Sequence, residues 1–334
     1  MWAGRIRAIL ERSEQARVLV VGDLMLDRYV SGSVTRISPE SPVPVVQVEK
    51  EWAAVGGAAN VAANVVALGA QCDVVGCVGS DDAGCELRER LEGLGVGIAG
   101  VVETRERPTT VKTRVLAGHQ QVVRIDREKS EDVSPETVRL LRKEARRGLS
   151  ACASVVLEDY DKGVLVPEII QEVLDGAKAD GVPTIVDPKR RRFFGYGSAT
   201  VFKPNEKELE DALGEPVRPE DAAWMEGARS RLDCEHLLVT LGGRGMALCS
   251  ARKGSTLFPA SNRAVFDVSG AGDTVTAVVS LALALGASMS EAAVLANHAA
   301  AIQVSKAGVA TVTKAELYEH TSNLINAREV GGTV

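Results

Sequence analysis

Short runs of aliphatic and β-branched residues recur along the chain, separated in most cases by longer amphipathic segments. The clearest runs occupy residues 18–21, 154–157, 183–186, 200–202, 237–240 and 246–249. Runs of this length, bounded by turn residues, are typical of buried strands, and the segments between most of them have helical spacing. We therefore predict an α/β fold in which helices flank a doubly wound, mostly parallel sheet.

Two further segments have strand patterns but no helices of their own. Residues 42–49 alternate in polarity and contain prolines, which is typical of an edge strand outside a central sheet. Residues 109–116 and 120–126 form a second pair of runs around a turn at 118–119. We predict that these segments, about 42–49 and 109–126, form a small β-strand lid inserted in one domain that spans 1–334.

Polar residues follow several of the predicted strands. Asp23 and Asp27 follow the first strand, and further clusters stand at 158–163, 187–189, 203–208 and 240–245. Because parallel strands end at one edge of a sheet, where open α/β sheets bind ligands, clusters on a common edge favour a binding site over ordinary turns. A carboxylate can accept hydrogen bonds from two sugar hydroxyls. The alternative for the two aspartates is one N-cap and one solvated acid.

Residues 267–274, with the sequence DVSGAGDT, precede a long apolar run at 275–286. Glycines permit close approach of the backbone, and the start of a helix presents free N–H groups, so this segment could bind an anion. Asp273 would then stand beside the anion, where it could take a proton from an attacking hydroxyl. The alternative is that Asp267 or Ser269 caps an ordinary buried helix. An earlier glycine pair, at 56–57, similarly precedes a predicted helix.

The composition argues against several classes of binding partner and structural site. The chain has 45% hydrophobic residues and a formal charge of −6 from 39 basic and 45 acidic residues, a mixture that argues against nucleic acid as the main partner. The cysteines form no C-x-x-C pair, so neither a zinc site nor a disulfide framework is indicated. The apolar run at 275–287 is too short to span a bilayer. We expect a cytoplasmic protein with small-molecule ligands and no membrane partner.

A nicotinamide-dependent dehydrogenase is disfavoured. Residues 95–100 match the dinucleotide fingerprint G-x-G-x-x-G, but they follow a predicted helix and lead into a strand. The fingerprint requires the reverse order. The sequence also has no G-x-x-x-x-G-K-[ST] motif, which excludes a P-loop kinase.

Two segments together resemble the signatures of the ribokinase-like (PfkB) carbohydrate kinases. They are Gly56-Gly57-x-x-Asn60-x-Ala62 and Asp267-x-Ser269-Gly270-Ala271-Gly272-Asp273, and Ser269 keeps the hydroxyl of the threonine that the family usually has. The resemblance extends from residue 18 to about residue 313. It implies an ATP-dependent carbohydrate kinase with ATP and Mg²⁺ as cofactors, and a homodimer that forms through the lid strands.

Within that family, further segments are similar to those of the D-glycero-β-D-manno-heptose 7-phosphate kinases. These segments lie at 21–29, 36–45, 119–124, 159–163 and 187–189. The similarity implies phosphorylation of the anomeric C1 hydroxyl in the synthesis of ADP-heptose, a lipopolysaccharide core precursor. The sequence has no H-x-G-H motif, so we expect no nucleotidyltransferase domain. The alternatives are a kinase for ribose, fructose or a nucleoside, and a non-catalytic sugar-binding protein.

The resemblance also implies roles for individual residues. Asp273 is expected to be the catalytic base, with a carboxylate that the start of its helix keeps ionised. The other expected roles are an anion hole at Gly270, Ala271 and Gly272; magnesium organised by Asn205 and Glu208; and nucleotide contacts at Asn205, Thr240, Gly242, Gly245 and Asn297. Sugar contacts are expected at Asp23, Asp27, Gly56, Gly57 and Asn60, and a further substrate contact at Asp187. The candidates for the substrate phosphate are Arg36, Lys112, Arg124, Lys162 and Lys189.

Overall fold

The protein is represented by a computed structural model that describes residues 2–321 except 119, 252, 261–265 and 307. The turn predicted at 118–119 therefore lies partly outside the described residues. The helices are α1 (Trp2–Glu11), α2 (Ala58–Ala67), α3 (Asp82–Gly93), α4 (Pro135–Leu149), α5 (Pro167–Asp180), α6 (Glu206–Leu213), α7 (Ala222–Arg231), α8 (Ala271–Ala284) and α9 (Met289–Gln303). The strands are β1 (Arg17–Gly22), β2 (Leu24–Ile37), β3 (Pro44–Gly57), β4 (Gln71–Gly79), β5 (Gly97–Thr104), β6 (Thr110–Ala117), β7 (Gln120–Arg127), β8 (Ser154–Glu158), β9 (Thr184–Asp187), β10 (Val201–Phe202), β11 (His236–Thr240), β12 (Met246–Ser250) and β13 (Gly254–Phe258).

The central sheet has the strand order β13-β12-β11-β10-β9-β8-β1-β4-β5. Its strands are parallel from β11 through β5, and β12 and β13 add an antiparallel edge. The predicted doubly wound, mostly parallel sheet is therefore confirmed. The chain leaves β1 toward β4 on one side and returns to β8 on the other, so the order reverses between β1 and β8. Ligands bind at such a reversal, outside the carboxyl ends of the strands.

Both faces of the central sheet are buried, which explains the continuous apolar runs of its strands. In β1, Val18 and Val20 pack in one core with α2, α8 and α9, whereas Leu19 and Val21 pack in the other with α4, α5 and α7. Because successive side chains of a strand point to opposite faces, each run must be apolar throughout. None of the helices within the described ranges combines the length and hydropathy needed to cross a bilayer.

The lid is a separate sheet with the strand order β3-β2-β6-β7. The edge position predicted for residues 42–49 holds, but β3 continues to Gly57, and β2 joins the lid directly after β1. Asp27 was predicted to lie among the polar residues that follow the first strand, but it lies within β2. Leu26 and Asp27 are both buried there, so a strictly apolar alternation is not required.

Candidate active site

A cavity of about 550 Å³ lies at the carboxyl edge of the central sheet. Its walls come from the ends of β9 and β11, the segment after β10, and the facing sides of α8 and α9. The predicted site residues that line it are Asp187, Lys189, Asn205, Glu208, Thr240, Gly242, Gly245, Gly270, Ala271, Gly272, Asp273 and Asn297. A more voluminous surface groove, of about 810 Å³ between α4 and α5, holds none of the predicted residues.

The start of α8 faces this cavity. Gly270 is the N-cap residue, with a φ of +81°, and contributes no side-chain cap to the helix. Asp267 instead accepts hydrogen bonds from the N–H groups of Ser269 and Gly308, so it orders the preceding turn and does not cap the helix. The alternative of a helix capped by Asp267 or Ser269 is therefore wrong. The first-turn N–H groups of an α-helix lack intrahelical acceptors and favour an anion.

The Asp273 carboxylate is held by two hydrogen bonds from other elements. Asn60 Nδ2, in α2, donates to Oδ2 at 2.6 Å, and the Tyr160 hydroxyl donates to Oδ1 at 2.9 Å. Asn64, one turn after Asn60, accepts a hydrogen bond from the Thr274 hydroxyl at 3.1 Å and so ties α2 to α8 a second time. The carboxylate plane is therefore fixed from both sides.

The ionisation of Asp273 differs from the sequence-based expectation. The side chain is buried, and this burial raises its pKa to about 6, while the hydrogen bond from Asn60 acts in the opposite direction. The expectation of a strongly favoured carboxylate considered only the position at the helix start. Removal from water is the larger effect here. A carboxylate with a pKa near 6 is a better general base than an ordinary aspartate.

Two more carboxylates lie beside Asp273. Oxygen atoms of Glu158, Asp187 and Asp273 lie within 4.8 Å of one another, and Lys203 Nζ lies 2.7 Å from Asp187 Oδ2. Burial alone would lower the pKa of Lys203, but the neighbouring carboxylates raise it, so the amine stays charged. Neither Glu158 oxygen has a hydrogen-bond partner among the described residues, and burial raises the pKa of this group well above its usual value. Burial and the neighbouring Asp187 and Asp273 carboxylates therefore favour the protonated form of Glu158, whereas Lys203 compensates the charge of Asp187.

Asn205 and Glu208 form a capping box at the start of α6. The Asn205 side chain accepts from the Glu208 N–H, and the Glu208 side chain accepts from the Asn205 N–H, both at 2.8 Å. Lys189 Nζ bonds the second Glu208 oxygen, and the pKa of Lys189 is raised: burial would lower it, but the Asp187 and Glu208 carboxylates outweigh that effect. The carboxylate and amide oxygens suit Mg²⁺, which is held by few protein oxygens and keeps several waters.

The loop after β11 forms another wall of the cavity. Thr240 bridges to Asn205, and a Cβ on Gly245 would lie 2.0 Å from the Phe258 carbonyl oxygen, so glycine is required there. Asn297, in α9, donates to the Pro259 carbonyl oxygen at 2.7 Å. The loop and α9 thus line the same cavity, and their contact with a nucleotide stays a prediction.

Asp23 anchors the loop that follows β8. Its carboxylate accepts from the N–H groups of Tyr160, Lys162 and Val164, at 2.8, 3.0 and 3.1 Å. Burial raises the pKa of Asp23, and these hydrogen bonds oppose the shift. The carboxylate is thus largely occupied by the loop, and its contact with a sugar stays a prediction.

The inner face of the lid carries the remaining predicted residues that lie near Asp273. Asp27 is buried and pairs with Arg114 of β6 at 2.5 Å. A Cβ on Gly56 would lie 2.5 Å from Asp27 Oδ2, which explains the glycine. Gly57 has a φ of +58° and lets the chain turn from β3 into α2.

The cations predicted to hold a substrate phosphate differ in their position and in whether they already form an ion pair. Lys162 pairs with Glu128 at 2.8 Å, and Arg124 pairs with Asp126 at 2.9 Å. Arg36 is exposed near the far end of β2 and lies outside this cluster. Lys112 has no ion-pair partner among the described residues. Its pKa is lowered by burial and by the nearby charge of Lys162.

The sequence analysis missed Tyr160, Lys203 and Arg114. The first two stand in the polar clusters after β8 and β10, and a lysine directly after a buried strand is a signal that could have been used. No local sequence pattern indicated a role for Arg114, because its partner Asp27 lies 87 residues earlier in the chain.

Comparison with known proteins identifies the family. The pfkB family carbohydrate kinase profile matches residues 15–316. The chain is 47% identical over 304 residues to a bifunctional protein HldE of Caulobacter vibrioides and 46% identical over 305 residues to one of Desulfatibacillum aliphaticivorans; each alignment covers 90% of this chain and 62% of the relative. The chain thus spans less than two thirds of the length of these relatives.

Solved structures agree at the level of the fold. An Arabidopsis thaliana ribokinase complexed with ribose and ATP superposes with a TM-score of 0.72 at 23% identity, over 92% of this chain and 98% of that one. The tetrameric inhibited form of phosphofructokinase-2 from Escherichia coli gives a TM-score of 0.76 at 19% identity, over 93% and 99%. The chain therefore belongs to the pfkB family of carbohydrate kinases.

Proposed function

We propose that this kinase transfers the γ-phosphoryl group of ATP to the anomeric C1 hydroxyl of D-glycero-β-D-manno-heptose 7-phosphate. The product would be the 1,7-bisphosphate, a precursor of ADP-heptose for the lipopolysaccharide core. The observation that carries the phosphoryl-transfer chemistry is the buried Asp273 carboxylate in the first turn of α8, beside the start of a helix without a side-chain cap. Similarity to HldE proteins and to the heptose 7-phosphate kinase segments supports the choice of sugar.

In this proposal, Asp273 takes the proton of the attacking C1 hydroxyl as the new O–P bond forms, while the bond between the γ-phosphorus and the β–γ bridging oxygen breaks and ADP leaves. The N–H groups of Gly272 and its neighbours, with the charged Lys203 amine nearby, stabilise negative charge on the transferred group. A Cβ on Gly272 would lie 3.6 Å from Lys203 Nζ, so the amine and the helix start share one side of the cavity. Mg²⁺, which Asn205 and Glu208 would hold together with water, supplies charge neutralisation on the ATP phosphates when bound.

The inner face of the lid is proposed to bind the sugar phosphate. Asp27 lies opposite Lys112 in the β2–β6 ladder, and Tyr29 lies opposite Arg114, so these side chains share one face. Lys112 is partly buried. The Asp27 and Glu128 carboxylates favour its charged form, but burial and the nearby Lys162 and Arg124 charges outweigh them and lower its pKa. An anionic ligand would offset that effect and a neutral sugar would not, which favours a phosphorylated substrate.

Incubation with MgATP and a panel of acceptors tests the proposal. The panel contains the heptose 7-phosphate, ribose, fructose, fructose 6-phosphate and a nucleoside, with ADP release as the signal and phosphorus NMR to locate the new phosphate. We expect the heptose 7-phosphate to give the highest kcat/KM and a C1 phosphate. Preferred phosphorylation of a primary carbon would indicate a ribose, fructose or nucleoside kinase, and no turnover with any acceptor would indicate a sugar-binding protein.

We also propose that two copies pair through their lids. The outer face of the lid exposes aliphatic side chains on three strands, including Val34 (38% exposed), Val48 (49%), Val123 (46%) and Ile125 (57%). The strand pairing places these four on one face, opposite Asp27 and Lys112. An apolar face of this kind is typical of a surface covered by a partner. Sedimentation of the protein and its Ile125→Asp variant tests this: we expect a dimer and a monomer, respectively.

We propose that the reaction takes place in the cytoplasm, where ATP is available. All six cysteines are free thiols, as expected for a reducing compartment.

A further inference from the structure

Tyr160 stands at the junction of the lid, the sheet edge and the Asp273 carboxylate. Its N–H and those of Lys162 and Val164 are fixed by the buried Asp23, so the loop that carries the ring is anchored below the site. Its hydroxyl reaches Asp273 Oδ1 at 2.9 Å. Burial and the Asp273 charge raise the pKa of this phenol well above its usual value, so the hydroxyl keeps its proton and is the donor.

We propose that Tyr160 is a positioning residue for phosphoryl transfer: its hydroxyl, together with Asn60, fixes the orientation in which Asp273 meets the attacking hydroxyl. This inference rests on the proposed role of Asp273 as the base. Each carboxylate oxygen can accept two hydrogen bonds. With one donor on each oxygen, a lone pair remains for the substrate, and the carboxylate cannot rotate away from it. A misplacement of about 1 Å can cost about 100-fold in rate.

The ring of Tyr160 also contacts charges from two sides of the site. Lys112 Nζ, on the lid strand β6, lies 5.4 Å from the ring centroid, and Lys189 Nζ, after β9, lies 5.2 Å from it. These distances are typical of cation–π contacts. The position of the lid and the orientation of the base therefore depend on one side chain.

The Asp273 carboxylate faces Asn60 from α2, Tyr160 from the loop after β8, the carboxyl groups of Glu158 at the end of β8 and Asp187 at the end of β9, and Lys203 after β10. The Tyr160 and Asn60 hydrogen bonds and the Lys203 charge lower its pKa, whereas burial and Asp187 raise it. Loss of the Tyr160 hydroxyl should therefore change the ionisation of the base as well as its orientation. A side chain that only filled space would change neither.

Tyr160→Phe tests this role, and Tyr196→Phe is the matched control. Tyr196 is another buried phenol, and its hydroxyl donates to the Asp159 carboxylate at 2.6 Å. With MgATP and the heptose 7-phosphate, we expect Tyr160→Phe to lower kcat by about 10-fold or more and to move the acidic limb of the kcat profile to higher pH. The KM for ATP should stay unchanged. Tyr196→Phe should keep both the kcat and the acidic limb of the unmodified protein.

Asp273→Asn, measured in parallel, separates this inference from the proposed base. Calorimetric titration with MgATP shows whether each variant is folded and binds nucleotide. An inactive Asp273→Asn together with a Tyr160→Phe whose kcat and acidic limb match the unmodified protein would overturn the positioning role and leave the base in place. Near-normal turnover by Asp273→Asn would overturn the base itself.

Discussion

Asn60 Nδ2 donates a hydrogen bond of 2.6 Å to Asp273 Oδ2, although 213 residues separate the two in the chain. The bond joins the helix that begins within the first family signature to the helix that begins within the second. The two signatures thus form one unit in space: the first supplies a donor that orients the carboxylate of the second.

The first prediction concerns Asn60→Ala. The hydrogen bond from Asn60 lowers the pKa of Asp273, so its loss should raise that pKa and leave less ionised base near neutrality. We expect kcat at pH 7 to fall by about 10-fold, with partial recovery at pH 8.5. Ser280→Ala is the control, because Ser280 is buried in α8 and its hydroxyl donates to the Ala277 carbonyl oxygen and not to the base. It should lower the thermal stability without moving the acidic limb.

The second prediction is the pH profile of the unmodified kinase. Asp273 acts as a base only when ionised, and its pKa is raised to about 6. We expect kcat/KM to be level near pH 7 to 8 and to fall with a slope of one below pH 6. Asp273→Asn should lose turnover by about 100-fold or more and show no such limb. A profile of the unmodified kinase that stays level down to pH 4.5 would contradict the raised pKa.

The sequence indicated the local features of the site and missed those that depend on tertiary packing. The start of α8 could be predicted because glycines and a following apolar run specify a turn and a helix within about ten residues. The pKa of Asp273 could not be predicted in this way, because it depends on burial against the ends of β8 and β9, which lie much earlier in the chain. Burial outweighs the helix dipole, and no local pattern contains that comparison.

The N-x-x-E segment shows a second limit of local patterns. Asn205 and Glu208 match the family motif, and the same spacing is that of a capping box, which the structure contains. One pair of residues can serve both purposes. β2 shows a third limit, because the side chains that face the site break the alternation by which a strand is recognised.

The third prediction concerns the substrate phosphate. Lys112→Gln removes the partly buried lid cation that has no ion-pair partner among the described residues. We expect the KM for the heptose 7-phosphate to rise by about 10-fold, because a hydrogen bond to a charged group is worth about 1.5–3 kcal/mol. The KM for ATP should not change. Lys178→Gln, an exposed lysine near the end of α5, is the control and should leave both constants unchanged. An unaltered KM in Lys112→Gln would show that the substrate phosphate does not bind at Lys112.

The fourth prediction concerns stability. The pKa of Glu158 is raised in the folded state, so its contribution to stability is present at low pH and is lost as the pH rises toward and through that pKa. Glutamine does not ionise, so Glu158→Gln removes the loss of stability that ionisation of the buried carboxyl causes at high pH. We expect its Tm to exceed that of the unmodified protein by ~2 °C or more at pH 8, with a smaller difference at pH 5.

Glu172→Gln provides the comparison, because the pKa of Glu172 is shifted in the opposite direction to that of Glu158. The Arg146 and Arg142 guanidinium groups lower the pKa of Glu172 to about 2, so its stabilising contribution is present at both pH 5 and pH 8. Its loss should lower the Tm at both. Equal Tm changes for Glu158→Gln at the two pH values would contradict the buried, raised-pKa carboxylate.

The last prediction separates helix capping from magnesium binding at Glu208. Glutamine at the third helical position can complete a capping box as glutamate does, so Glu208→Gln should keep the Asn205 contacts and the Tm close to that of the unmodified protein. The substitution removes the charge that faces Lys189 and the proposed magnesium. We expect the Mg²⁺ concentration for half-maximal activity to rise by about 10-fold.

Glu206→Gln, one of the first residues of the same helix, is the control for that measurement. Glu206 pairs with Arg244 and does not line the cavity, so its loss should leave the Mg²⁺ dependence unchanged. A Glu208→Gln variant with ordinary Mg²⁺ dependence would show that N-x-x-E acts here as a helix cap alone. The metal would then have to be held by the ATP phosphates and other oxygens of the cavity, because the capping contacts would account for both side chains.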